Sequence, residues 1–283
     1  AVEVCRFYSS PKCKLAQKSL YGVRISGLFG RSEWCDNARV KNQSEKLAAI
    51  PRGNTSKGVN RKIIELLLTN KKAEAPSRLL DIPCGNGEFL DATHDCFPDW
   101  ILTGADLDQP KESFSHSFIE LDGAQPKTLE GQFDVVTCIS GVMEFDNTLS
   151  FFKAIRRIIS DDGDLIVTND NLLTAKDRLL YLLSGRFTQY PFRSVSGIPT
   201  WKILPAQNLI RILGDAGFTV NTIEYVPVLS GDWLWIVVGF PLFVFELLAS
   251  AVSTPDPLRQ PVFQFRSFLS RHYVLTCCPT VNR

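Results

Sequence analysis

An apolar run ends in a carboxylate and gives way to two spaced glycines in the stretch Asp81-Ile82-Pro83-Cys84-Gly85-Asn86-Gly87. Gly85 and Gly87 carry no side chains to block a ligand, so the backbone amides of such a turn can approach one closely. Strand-to-helix turns of this kind also serve dinucleotide-binding domains. Here, however, the run continues Glu88-Phe89-Leu90 with no third glycine, and a carboxylate precedes the turn. Asp81 can accept hydrogen bonds and balance positive charge, which suits a cationic amino-acid ligand that carries no pyrophosphate. About twenty residues on, a second apolar run ends Gly104-Ala105-Asp106-Leu107-Asp108. An acid at that place accepts from both hydroxyls of a ribose, so Asp106 is the expected ribose ligand, with Leu107 flanking an adenine and Asp108 capping the next helix. A third run ends Leu121-Asp122-Gly123. Asp122 and Gly123 either border the adenine, with Asp122 accepting from its amino group, or only form an Asp-Gly turn.

These residues can act together only if their elements end at one edge. Lys57 to Asn70 places apolar residues at helical spacing and opens the domain. Strand-like and helical stretches then alternate: Arg78 to Ile82, Glu88 to Cys96, Trp100 to Asp106, Ser117 to Leu121, Phe133 to Ser140, Leu149 to Ile159 and Asp164 to Thr168. Near-continuous apolar strands alternating with helices are the pattern of a parallel sheet covered on both faces. Pro205 to Ala216 reads as a helix stopped by Gly217, Phe218 to Val226 as a strand, and His272 to Cys278 as a last strand. The expected organisation is a basic extension over 1–55 and one α/β domain over 56–283. That domain carries a lid insertion at about 172–204 and an apolar insertion at about 231–268.

With 283 residues, 45% hydrophobic and 22% charged, the chain has the composition of a globular protein with a sizeable core. Its net charge of +1 is uneven: residues 1 to 60 hold eleven Lys/Arg against four Asp/Glu, or +7, leaving −6 for the rest. A body of that sign lacks the basic face a nucleic-acid binder needs, so no nucleic-acid partner is expected. The extension reads as poorly ordered, with a composition like that of an organelle transit segment. Eight cysteines show no C-x-x-C pair and no zinc-ligand spacing, which points to a reduced, cytoplasmic setting without a structural metal.

Taken in order, these motifs resemble those of the class I S-adenosylmethionine-dependent methyltransferases, over roughly Lys57 to Val226 and on to Cys278. D-I-P-C-G-N-G is similar to the family's first motif, with Pro83 in place of the commoner glycine, and G-A-D-L-D to its second-strand acid. F-D-V-V-T-C-I-S-G-V-M-E-F is similar to the fourth strand and loop, I-I-S-D-D-G-D-L-I-V-T to the turn and fifth strand, and L-G-D-A-G-F-T-V to the approach to the sixth. V-T-N-D-N-L-L to S-G-R-F further resembles the MetW-like branch. The resemblance implies a Rossmann-like, mostly parallel seven-stranded sheet with helices on both faces and an antiparallel last strand, His272 to Cys278. It also implies S-adenosylmethionine as cofactor, held by Asp81, Pro83, Cys84, Gly85, Asn86, Gly87, Asp106, Leu107, Asp122 and Gly123, with Ile139 and Ser140 at the fourth strand's tip.

Methyl transfer from a sulfonium mainly requires alignment and exclusion of water, so a dedicated base is not obligatory. Asn169-Asp170-Asn171, after the fifth strand, lies at the carboxyl edge where open α/β sheets bind ligands, and with Tyr190 it forms the acceptor-side expectation. Arg186 and Trp201 either wall that pocket or only pack and solvate a lid. The Asp-Asn pair is similar to metal ligands of catechol-type O-methyltransferases, yet Ser140 and Gly141 stand where the companion acid would be, so no metal is expected. Glu144-Phe145 replaces the Glu-His of many relatives. His94, His116 and His272 read as surface or structural residues. Trp233 to Val252 carries one charge, Glu246, and is long enough to cross a bilayer, but strands on both sides of it in one sheet oppose crossing. Pro241 and Gly239 suit a bent or re-entrant hairpin at a membrane interface; a helix buried over the active site and a dimer contact are the alternatives. The expected function is methyl transfer to a small-molecule or lipid-like acceptor, against a non-catalytic regulatory partner of another enzyme and an NAD-dependent oxidoreductase.

Overall fold

The computed structural model describes residues 47–51, 53, 55–69, 75–110, 113–121, 129–188, 202–226, 228–252 and 262–280. Two compact units divide the chain, Ala1–Ala49 and Ile50–Arg283. Of the first, only a helical turn at 47–49 is described.

The second unit runs α1 (Val59–Thr69), β1 (Arg78–Asp81), α2 (Glu88–Cys96), β2 (Ile101–Asp106), β3 (Ser117–Glu120), β4 (Phe133–Ile139), α3 (Thr148–Ile158), β5 (Ile159–Asp170), α4 (Ala175–Ser184), α5 (Ala206–Asp215), β6 (Phe218–Val226), α6 (Ile236–Val252) and β7 (His272–Pro279). The seven strands form one sheet in the order β3-β2-β1-β4-β5-β7-β6. From β3 to β5 all pairs are parallel, while β7 runs antiparallel to both β5 and β6. The expected doubly covered sheet with an antiparallel last strand is therefore the observed one. Its central strands read as apolar runs because both faces are covered: Leu79, Leu80, Val136 and Val167 are fully buried.

Helix α3 shows how sequence fixes an element. The Asn147 side chain accepts from the Ser150 amide at 2.9 Å and caps the start, and Arg156 and Arg157 fall in the last turn, where the dipole favours cations. Phe151, Phe152, Ile155 and Ile158 recur on one face and are buried in the core. The boundary after it differs from expectation. Strand β5 starts at Ile159, immediately after the helix, because a register shift against Phe133 and Val135 draws the Asp161-to-Gly163 turn into the ladder.

The apolar insertion also departs from the expected hairpin. It is one helix, α6, preceded by a 3-10 turn at Ser230–Trp235, and Pro241 lies inside it. Pro241 falls in the second turn, so it removes a single ladder bond, to the Val237 carbonyl, and the helix continues. Nor is this helix buried over the sheet, since only 11% of its apolar window is covered.

Candidate cofactor site

Parallel strands end at one edge, so Asp81, Asp106, Ile139 and Asp170, the last residues of β1, β2, β4 and β5, share the carboxyl side of the sheet. The strand order reverses between β1 and β4, the place at which open α/β sheets take ligands.

The glycine turn is tied into both neighbouring strands. The Ile82 amide donates to the Thr137 carbonyl at 2.9 Å, and the Cys84 amide to the Ala105 carbonyl at 3.0 Å. Gly85 and Gly87 adopt positive φ of 54° and 88°, which favours glycine at both. Gly87 then opens α2 from a left-handed N-cap. The Asp106 carboxylate bridges the two strand tips, accepting from the Gly85 amide at 2.8 Å through one oxygen and from Leu107 at 2.7 Å through the other. Each oxygen keeps a lone pair for a hydroxyl. Leu107 is 63% exposed beside it.

Asp81 is buried, and Thr137 Oγ1 donates to it at 2.7 Å. Burial pushes its carboxyl up to about 7, with Thr137 opposing and Asp106 adding to the rise. Burial and then the Asp81 and Asp106 carboxylates push the Cys84 thiol up to about 12. The Glu144 carboxyl, on the loop after β4, is raised by desolvation and by Asp106. After burial, the Asp106 carboxylate thus adds to the rise of both Asp81 and Glu144, an arrangement that a cationic ligand would relieve. The donor set fits a ribose-bearing, positively charged ligand.

One neighbour of this turn, Phe114, was not legible in sequence. A Cβ on Gly87 would lie 2.8 Å from the Phe114 ring, and one on Gly104 would lie 2.6 Å from Cys84 Sγ and 2.9 Å from Phe114. Gly87 therefore makes room for an aromatic ring, a use beyond the ligand approach expected of it. Ser140 holds a left-handed φ of 57°, donates its amide to Thr168 Oγ1 at 2.9 Å, and shares a 2.8 Å hydroxyl contact with Thr55. A Cβ on Gly141 would meet Pro83 Cδ at 2.1 Å, so the β4 loop closes on the Pro83 ring only without a side chain there. Asn86 is half-buried within the turn, and Asp122 and Gly123 lie outside the described residues.

The three residues expected on the acceptor side separate. Asn169 is buried and donates to the Leu204 carbonyl and Tyr273 hydroxyl, at 3.0 and 3.3 Å. Asn171 is also buried, donating to the Ser267 and Ser270 carbonyls at 2.7 Å each and accepting from Leu173. Both amides hold structure together. Asp170 faces His272 across the antiparallel register, with Oδ1 and Nε2 3.2 Å apart, and burial raises its carboxyl while His272 opposes the rise. His272 is thus buried at the carboxyl edge, a pairing visible only once β5 and β7 are aligned. A cavity of about 30 Å³, room for roughly one water, lies nearby between Asn171, Asp177, Asp232, Trp235 and Phe268. Arg186 is exposed, and Tyr190 and Trp201 lie outside the described residues. Among the described residues no three His, Cys, Asp or Glu side chains converge as metal ligands.

A family model described as "Methyltransferase domain" matches residues 55–223. No curated protein sequence matches the chain significantly. Among solved structures, a mycolic acid cyclopropane synthase complexed with SAH and CTAB is 15% identical, with TM-score 0.50 over 77% of this chain and 84% of that one. An S-adenosylmethionine-dependent methyltransferase from Clostridium acetobutylicum is 11% identical, with TM-score 0.49 over 88% and 99% of the two chains. Another from Archaeoglobus fulgidus is 15% identical, with TM-score 0.48 over 84% and 99%. These likenesses are of fold.

Proposed function

Because the chain belongs to the methyltransferase-domain family, as its ordered motifs led us to expect, we propose that it methylates a small-molecule or lipid-like acceptor using S-adenosylmethionine. One observation carries the choice of cofactor: three carboxyl groups, Asp81, Asp106 and Glu144, with Asp81 and Glu144 each raised by burial and by Asp106, surround a glycine turn. A dinucleotide would bring a pyrophosphate against those carboxylates, whereas a sulfonium amino acid brings positive charge. In this reading Asp106 holds the ribose hydroxyls, and Asp81 balances the cationic amino-acid end. Gly85, Asn86 and Gly87 carry the backbone against the ligand, while Ile139 and Ser140 border it at the tip of β4.

When bound, the cofactor supplies a methyl group already activated for displacement. The protein's work is then to orient the acceptor and exclude water. In this reading the Asp170–His272 pair, 3.2 Å apart, lies on the acceptor side and takes the proton of a hydroxyl acceptor.

The test is turnover: purified protein, labelled S-adenosylmethionine and a panel of hydroxyl- and amine-bearing amphiphiles, with S-adenosylhomocysteine measured as product. Acceptor-dependent product formation is expected. Cofactor binding with no turnover across the panel would reject the catalytic reading and favour a regulatory partner.

A further inference from the structure

We propose that α6 and the end of α4 form one apolar ridge that docks on an anionic lipid bilayer, with α6 lying along the interface. Gly239, Phe243 and Glu246 recur at helical spacing and form the inner face of α6. A Cβ on Gly239 would lie 3.3 Å from Phe268 and 3.5 Å from Ala175, and the Phe243 ring packs edge-on to Phe265 and Phe268. Glu246 is the helix's only charge, and it turns inward to Arg178 at 3.3 Å. Outward, Val237, Phe240, Phe245 and Leu248 are exposed, as are Leu182 and Leu183 at the end of α4, the helix that packs beside α6 through Ala175 and Arg178.

This is the reverse of a water-facing helix, whose charge would point out. The outward face of Ile236 to Leu248 offers no hydrogen-bonding side chain, whereas protein interfaces are on average about as apolar as ordinary protein surface. Lipid is the medium that asks for no polar partner.

Charge complementarity selects the lipid. In the described parts of 172–188 and 229–271, the acids Asp177, Asp232 and Glu246 are buried or half-buried. The exposed charges there are Arg186, Arg266 and Arg271, all basic. Arg271 is paired with Asp232, and the exposed Arg186 and Arg266, on segments next to the helices of the ridge, attract anionic headgroups. The 3-10 turn before α6 is held by Asp232 to Arg271 at 2.8 Å, and the inner face packs on the domain. With 17 residues and a length of about 25 Å, the helix therefore lies flat on the bilayer.

The proposal is independent of methyl transfer, and its vesicle-binding readout needs no cofactor. The full chain is floated with phosphatidylcholine vesicles, with and without phosphatidylserine. Binding is expected to be stronger with phosphatidylserine and to weaken as salt rises. Val237→Glu and Leu248→Glu, at positions 77% and 65% exposed, should each weaken binding about tenfold or more while leaving the thermal midpoint and S-adenosylmethionine affinity unchanged. Arg186→Ser and Arg266→Ser should each weaken binding to the anionic vesicles about fivefold. Wild-type protein that floats with neither vesicle, or glutamate variants that bind as wild type does, would overturn the proposal. So would a wild-type dimer in sedimentation that the glutamate variants dissociate without any vesicle binding, because a second copy would then be the occupant.

Discussion

A carboxyl held at a pKa of about 7 makes Asp81 a pH sensor for both folding and binding. Its unfolded value is 3.8, so between about pH 4 and 7 the folded chain keeps a proton that the unfolded chain has lost. Stability therefore falls as pH rises through that window, and Glu144 and Asp170, also raised, contribute with the same sign. Unfolding titrations across the window should show this slope, and Asp81→Asn should reduce it; an unchanged slope in the variant would contradict the assignment. A cationic ligand favours the ionised form, so its affinity should rise with pH through about 7, with proton release on binding. Asp81, Asp106 and Asp170 were legible in sequence because each closes an apolar run, whereas Glu144, in the loop after β4, was not read as part of the cofactor site. Their packing partners were not legible. Nothing local announces that Phe114 fills the space over Gly87 and Gly104, or that Asn169 and Asn171 spend their amides on backbone carbonyls across the fold.

Elements were read where periodicity was strong, as in α3 with its capped start and one-sided apolar face. They were misread where tertiary pairing overrides local pattern. Strand β5 begins at once after α3 because β4 accepts it through a register shift, which no window of sequence encodes. The glycine and proline of the apolar insertion suggested a bend, yet one missing amide near a helix start is too small a loss to break α6. The β1 and β4 loops meet at Pro83 and Gly141, and their fit leaves no room for a methyl group. Gly141→Ala should destabilise the protein by about 1–3 kcal/mol and weaken cofactor binding by displacing the glycine turn. Denaturant unfolding checks the first effect, and an unaltered midpoint would show that Pro83 yields without cost.

At the scale of the molecule, sheet topology brings everything to one edge. Parallel strands gather the acids at the tips of β1, β2 and β5, and antiparallel β7 returns His272 to Asp170 on the proposed acceptor side. The apolar ridge stands beside that side, since Ala175 and Phe268 under α6 adjoin Thr174 and Leu269 of the cavity wall. Under the two proposals together, an acceptor dissolved in a bilayer would meet the protein close to the proposed acceptor side. All of this presumes that the cofactor site holds an adenosyl sulfonium, and titration calorimetry addresses that directly. Wild-type protein should bind S-adenosylmethionine and S-adenosylhomocysteine and leave NAD unbound. Asp106→Ala should lose about tenfold to a hundredfold in affinity for both adenosyl ligands, as removal of charge-assisted hydrogen bonds does. Tight NAD binding with no response to the sulfonium ligand, or an Asp106→Ala variant that binds it as wild type does, would contradict the account.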